Sequence, residues 1–237
     1  MELRNSSHIS THSGTGEGDR VVSFLRACSL FTDLDGATLG ELAQDVRFET
    51  YDRRQTIPLQ GALGVIGSGR VRLVQPRDGR ELTMAYLGAG DILGELGLVS
   101  TMPLMLAVAT ERVEHLRLPL TRIEALVERS PAVASRLVRL LGARCLQAEG
   151  RIIALLTRTV ESRVVDFLLS AAERHGVPDG RGRLIGVKFT HREIASYVGS
   201  TRETVTLTLG DLKRRGLIAV DHRRVVVLDE AGLRKLA

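Results

Sequence analysis

The sequence predicts an α+β chain in which a β-sandwich or roll is followed by one long helix and then a winged helix-turn-helix. Three patterns predict it: short alternating apolar runs punctuated by glycine from Phe31 to about Leu120, a proline-free apolar seam spaced by alternating fours and threes, and two consecutive helix starts followed by a short hairpin. At 237 residues and 43% hydrophobic content the chain can bury one or two ordinary cores. Aromatic residues make up only 3% and tryptophan is absent, so those cores must be built from Leu, Val, Ile and Ala.

Residues 1–18 are rich in Ser, Thr, His and Gly and contain no apolar run resembling a signal peptide, so they read as a disordered arm. The organisation that follows is a β domain over 19–129, a dimerisation helix over 130–161 and a winged helix-turn-helix over 162–237. No stretch approaches the ~20 apolar residues needed to span a bilayer, and a soluble cytoplasmic protein is expected. Cys28 and Cys145 are too few for a disulfide framework or a four-cysteine metal site, which fits reduced thiols.

After a short helical segment from about Val21 to Leu30, the runs Gly69 to Val74 and Val113 to Leu118 alternate with period two, as half-buried strands do. Pro76-Arg77-Asp78-Gly79 is a turn signal, so the runs ending at Val74 and starting at Leu82 read as a hairpin. From Ser130-Pro131 to about Ser170 the pattern becomes helical. Val138, Leu141, Cys145, Ala148, Ile152, Leu155 and Thr159 occupy heptad a and d positions and ask for a partner helix. In a parallel pair the seam couples Arg144 of one chain to Glu149 of the other. The alternative is an amphipathic helix packed on its own domain.

Beyond a loop from Glu173 to Gly180, Leu184 to Phe189 reads as a strand. Thr190-His191-Arg192-Glu193 and Ser200-Thr201-Arg202-Glu203 both have the capping-box form, with Gly199 between them as the turn. Helices over about His191–Val198 and Thr201–Arg215, closed by Gly216, have the spacing of a helix-turn-helix. Packing Val205, Leu209 and Leu212 inward turns Arg202, Thr206 and Lys213 outward. Arg202, in the first turn, is then placed to reach guanine in a major groove, while helix N-termini and hydroxyls suit phosphates. Glu203 either closes its capping box or accepts from cytosine. Asp221-His222-Arg223-Arg224 between two apolar runs makes a basic wing tip, with Arg223 and Arg224 as phosphate contacts. The net charge is +5, and residues 162–237 hold 14 basic and 9 acidic residues against 19 and 19 upstream. That surplus suits a polyanion partner, although it also serves as solubilising surface.

These motifs resemble the cyclic-AMP receptor protein and fumarate-nitrate regulator (CRP/FNR) family over roughly residues 20–230. Glu193-Ile194-Ala195 through Val198-Gly199-Ser200-Thr201-Arg202-Glu203-Thr204-Val205 resembles its helix-turn-helix signature, and Glu161 to Leu169 its hinge. The resemblance implies a cyclic-nucleotide-binding-type β-roll as sensor, a dimerisation helix and a winged-helix reader. It also implies double-stranded DNA, RNA polymerase and a second copy of the chain as partners. Within the family the C-terminal half is most similar to the NtcA nitrogen-regulator subgroup, in Gly176-Val177-Pro178, Gly199 to Arg202 and Leu209 to Leu212. Where family members often carry a further arginine on the recognition helix, this chain has Leu207, a candidate for a thymine methyl.

Gly94-Glu95-Leu96-Gly97-Leu98 resembles the start of the family's phosphate-binding cassette, but the arginine and serine that follow correspond to Met105 and Leu106. A buried phosphate would go uncompensated, so cyclic AMP is not expected to bind. The resemblance to NtcA implies 2-oxoglutarate as a possible ligand, for which Arg144 and Glu149 match two pocket positions and Pro103 replaces a further arginine. The candidate effector pocket is therefore Gly94, Glu95, Leu96, Met105, Leu106, Arg144 and Glu149. The alternatives are an apolar ligand, or Pro103 to Leu106 filling the pocket so that abundance alone governs the regulator. Heme and iron-sulfur sensing are disfavoured, since Cys28 and Cys145 lie far apart and His115 falls on the outward parity of its strand.

The expected function is sequence-specific transcription regulation by a homodimer on a pseudo-palindromic site. The competing class is a ligand-binding module whose winged helix docks protein. No phosphate loop, metal-ligand cluster or nucleophile constellation marks an enzyme, and no metal is expected.

Overall fold

A computed structural model describes residues 15–44, 46–77, 80–100, 105–222 and 224–237. The chain forms two compact units, Met1–Ala143 and Arg144–Ala237. Most of the expected arm lies outside the described residues, but its end is helical rather than disordered, because α1 runs Thr15–Ala27. Val21 and Leu25 anchor this helix in the core, and once nucleated there it extends backwards at one hydrogen bond per residue.

In the first unit β1 (Arg47–Tyr51), β3 (Ala62–Ser68), β6 (Ile92–Leu93) and β8 (Val113–Pro119) form an antiparallel sheet ordered β1-β8-β3-β6. A second sheet, β2-β7-β4-β5, joins β2 (Thr56–Ile57), β4 (Val71–Arg77), β5 (Arg80–Leu87) and β7 (Leu106–Ala109). The expected hairpin is β4 with β5, registered from Val71 opposite Leu87 to Arg77 opposite Arg80. Its Asp78 and Gly79 lie outside the described residues.

The first sheet is covered on both faces. Tyr51, Ile66 and Val113 point to a core shared with Val71, Leu73 and Ala107 of the second sheet. Phe48, Val65, Leu116 and Leu118 point the other way, into a core closed by α1, α2 (Gly36–Ala43), α3 (Leu120–Arg129) and the start of α4 (Pro131–Thr157). This corrects the placement of His115. It is not on an outward face but only 1% exposed, because β8 has no solvent side at that position. Its ring stacks on Tyr51 at 5.4 Å between centroids, and its Nε2 lies 3.7 Å from Glu49 Oε2, which also accepts the Tyr51 hydroxyl at 2.8 Å.

Neither ring nitrogen of His115 has a hydrogen-bond partner among the described residues, and burial holds its pKa below the ordinary histidine value. The Glu49 carboxylate opposes that shift, and the Arg117 guanidinium adds to it. The fold thus excludes a proton that the unfolded chain takes up below about pH 6.5. Stability is expected to be flat above that pH and to fall as the solution is acidified, until the lower folded pKa is passed. His115→Phe, which keeps the stack, should flatten that part of a denaturation-midpoint profile; a slope identical to wild type would assign it to other groups.

Helix α4 starts in the first unit and ends in the second. It does not continue to Ser170: Thr159 is extended, its hydroxyl accepts the Ser162 amide, and α5 (Val160–His175) starts anew. A threonine that caps the next helix cannot also serve as a seam position of the previous one, so Thr159 leaves the heptad. The strand expected over Leu184–Phe189 is β10 (Gly182–Ile185) instead, paired with β9 (Gly176–Asp179) and β12 (Arg224–Val227) in a sheet ordered β11-β12-β10-β9. The Gly186 amide donates to His175 O at 2.8 Å, outside this strand pairing.

Candidate nucleic-acid interface

The second unit builds its reader from α6 (His191–Val198), α7 (Arg202–Arg214) and the hairpin of β11 (Ile218–Asp221) with β12, and α8 (Glu230–Arg234) follows. Thr190 caps α6 with the full reciprocal box: its hydroxyl accepts the Glu193 amide at 3.1 Å, and the Glu193 carboxylate accepts the Thr190 amide at 2.7 Å. The second start differs from expectation. Thr201, not Ser200, is the N-cap, accepting the Thr204 amide at 3.1 Å. Glu203 therefore closes no capping box, and its exposed carboxylate has no hydrogen bond or ion pair among the described residues.

Between the helices Gly199 has φ 67°, and a Cβ there would stand 2.6 Å from Leu155 Cδ2 of α4. Gly199→Ala is expected to lose about 1–2 kcal/mol through the left-handed backbone alone. Adding Leu155→Ala should not restore that loss, and full recovery of the denaturation midpoint in the double variant would refute the backbone account.

Val205, Leu209 and Leu212 are buried beneath α7, which leaves Arg202, Glu203, Thr206, Leu207 and Lys213 exposed. Leu207 is 74% exposed, high for a leucine. The Thr206 hydroxyl donates to Arg202 O at 2.8 Å, so with one proton it accepts from His191 Nδ1, also at 2.8 Å. That bridge ties the first residue of α6 to the second turn of α7. Arg202 stands at the positive end of α7 with no side-chain partner among the described residues, a guanidinium held where an anion or a base edge would meet it first. In the wing, Asp221 pairs with Arg224 across a tip where His222 has φ 44°. Arg224 is half-buried, Ser200 likewise, and Arg223 lies outside the described residues.

Residues 48–130 match the family described as cyclic nucleotide-binding domain, and residues 162–236 match the Crp-like helix-turn-helix domain. The Global nitrogen regulator of Nostoc sp. is 34% identical over 187 residues, 76% of this chain and 84% of that protein. The CRP-like cAMP-activated global transcriptional regulator of Mycobacterium tuberculosis is 26% identical over 219 residues, 90% and 98% of the two chains. The chain belongs to the CRP/FNR family. A solved CRP-family transcriptional regulator of Thermus thermophilus superposes with TM-score 0.67 at 29% identity, covering 79% of this chain and 95% of that one. The c-di-GMP responsive regulator of Xanthomonas campestris shares the fold, with TM-score 0.71 at 22% identity over 81% and 99% of the chains. This CRP/FNR protein is thus a DNA-binding transcription regulator rather than an enzyme or a protein-docking module.

On α4 of this CRP/FNR regulator, Val138, Leu146, Ile152, Ile153 and Leu156 are 56–80% exposed. This stripe is rotated from the expected seam by roughly 70° for a helix of about 3.6 residues per turn. The cause lies in two seam residues: Leu141 packs against the core of the first unit, and Leu155 faces Gly199. Cys145, Ala148 and Ile152 are all exposed. Leu146, Ile153 and Leu156 were not among the expected seam residues, although the seven-residue interval from Leu146 to Ile153 signals them.

The residues proposed for an effector fall in both units. Gly94, with φ 85°, precedes a 3₁₀ turn at Glu95–Leu98, and a Cβ on it would stand 2.4 Å from Ala62 O, so close packing inside the roll already requires glycine there. Glu95 is buried, Leu96 half-buried, Met105 packs on the core between the sheets and Leu106 opens β7. Neither Met105 nor Leu106 supplies a cation or a hydroxyl to a phosphate. Arg144 is half-buried on α4, while Glu149 is exposed and accepts from the Cys145 thiol at 3.7 Å. Pro103 lies outside the described residues. Among those described, no group of three or more metal-ligating side chains occurs, and no helix is long and apolar enough to cross a membrane.

Proposed function

We propose that the protein acts as a cytoplasmic homodimer, joined along the exposed stripe of α4, that sets two copies of α7 in successive major grooves of a pseudo-palindromic site and works with RNA polymerase. The observation that carries this reading is the exposed guanidinium of Arg202 at the leading end of α7, unpaired among the described residues. Arginine there can bond the two acceptors of guanine together, and dimers of this architecture place their half-sites about one helical turn apart. Thr190, His191, Ser200, Thr201, Thr206, Lys213 and Arg224 are assigned with it as phosphate or groove contacts, as is Arg223, which lies outside the described residues, and Glu203 is available to cytosine.

The regulator is either independent of any effector or responsive to a small molecule other than cyclic AMP. Met105 and Leu106 support this, because a cyclic phosphate beside them would lose its hydration without gaining a charge partner. Selecting bound sites from random DNA, alone and with cyclic AMP or 2-oxoglutarate, tests reader and sensor together. A two-fold-symmetric site recovered equally with and without cyclic AMP is the expected result, and a change in recovery with 2-oxoglutarate would select the effector-responsive form of the reading. Recovery of random sequences would refute the reader, and tight cyclic AMP binding by calorimetry would refute the sensor assignment.

A further inference from the structure

The last carbonyls of a helix have no partner within it and form its negative end. At the end of α6 these groups are met by arginines from two other helices. Arg151 of α4 donates to Tyr197 O at 2.5 Å, and its guanidinium lies 4.5 Å from the centroid of the Tyr197 ring. Arg163 of α5 donates through Nε to Val198 O at 2.8 Å, and through a terminal nitrogen to Arg158 O at 2.6 Å in the break between α4 and α5. The carbonyls of Tyr197 and Val198 are thus held from α4 and α5 immediately before the turn that launches α7. Leu155, one turn beyond Arg151, fills the space behind Gly199 in that turn.

We infer that Arg151 is a positioning residue for DNA recognition: it fixes the heading of α7 relative to the helix along which the chains pair, and so sets the half-site spacing that the dimer accepts. This rests on the dimeric reading above. Arg151 lies on α4 rather than on the exposed face of α7, and it holds Tyr197 at the end of α6. Its effect must therefore reach DNA through geometry. A single half-site does not sense the angle between two readers, whereas a palindrome does. Lysine keeps the charge but not the planar fork that meets a carbonyl while stacking on a ring.

The test uses the full chain on three kinds of duplex: the selected palindrome, one isolated half-site, and palindromes with the half-sites moved one base pair closer or farther. Arg151→Met is expected to bind the palindrome about 10-fold more weakly and the half-site within about two-fold of wild type, a difference of about 1 kcal/mol. Its preference among the spacings should also flatten. Arg151→Lys should recover part of the spacing preference. An equal loss on half-site and palindrome, or an unchanged spacing preference, overturns the assignment. If Arg151→Met does not fold, Tyr197→Leu removes the ring face of the same contact, and an unchanged spacing preference there overturns it equally. Wild-type protein that fails to prefer the palindrome over random duplex sinks the dimeric reading itself, and this inference with it.

Discussion

Arg202→Ala is expected to bind its selected site roughly 10- to 100-fold more weakly, the loss of one bidentate base contact, while binding to a scrambled duplex changes little. The side chain is exposed and holds no other side chain in place among the described residues, so its removal should leave the denaturation midpoint near wild type. Arg224→Ala gives the contrasting result. A phosphate contact contributes to every duplex, so both affinities should fall together, and the slope of log affinity against log salt should shrink by about one. Anisotropy titrations of both variants on both duplexes over a range of salt separate the roles. Equal losses for Arg202→Ala on specific and scrambled DNA would remove it from base readout.

The second large effect is expected on α4. Ile153→Glu and Leu156→Glu replace side chains that are 60% and 80% exposed in the single chain, so folding of the chain itself should be nearly indifferent to them. In a paired coil the same carboxylate would face its own copy across an apolar seam, where burying like charge is prohibitive. Either variant should sediment as a monomer and bind the palindrome about 100-fold or more weakly, with half-site affinity retained. Dimers that persist in both variants would place the interface elsewhere.

Which residues could be read from sequence depended on how local their determinants are. The Thr190 box was legible because both partners lie within one turn and no competing pattern adjoins them. The next start was displaced by one residue because Ser200 to Glu203 fits the box as well as Thr201 to Thr204 fits a plain cap, and only backbone conformation chooses between them. His115 was misplaced because alternation along β8 presumes one dry face, whereas a sheet between helices and a second sheet has two. The exposed stripe of α4 differs from the seam that spacing predicts for a related reason. Apolar spacing locates a greasy stripe but not which part of it is taken by the chain's own core, here Leu141, or by its own reader, here Leu155. The break at Thr159 was hidden since a threonine in a helical register looks like any other until its hydroxyl turns to the next amide.

The grip of Arg151 and Leu155 on the back of the turn bears on how this reader could be transplanted. A graft begun at Val160 would carry the surfaces that meet DNA but leave behind both side chains that brace them from α4, and α7 would be delivered without its mount. A fusion joint near Arg144 keeps the final turns of α4 as an integral bracket, and the linker to any foreign dimeriser should attach upstream of that bracket.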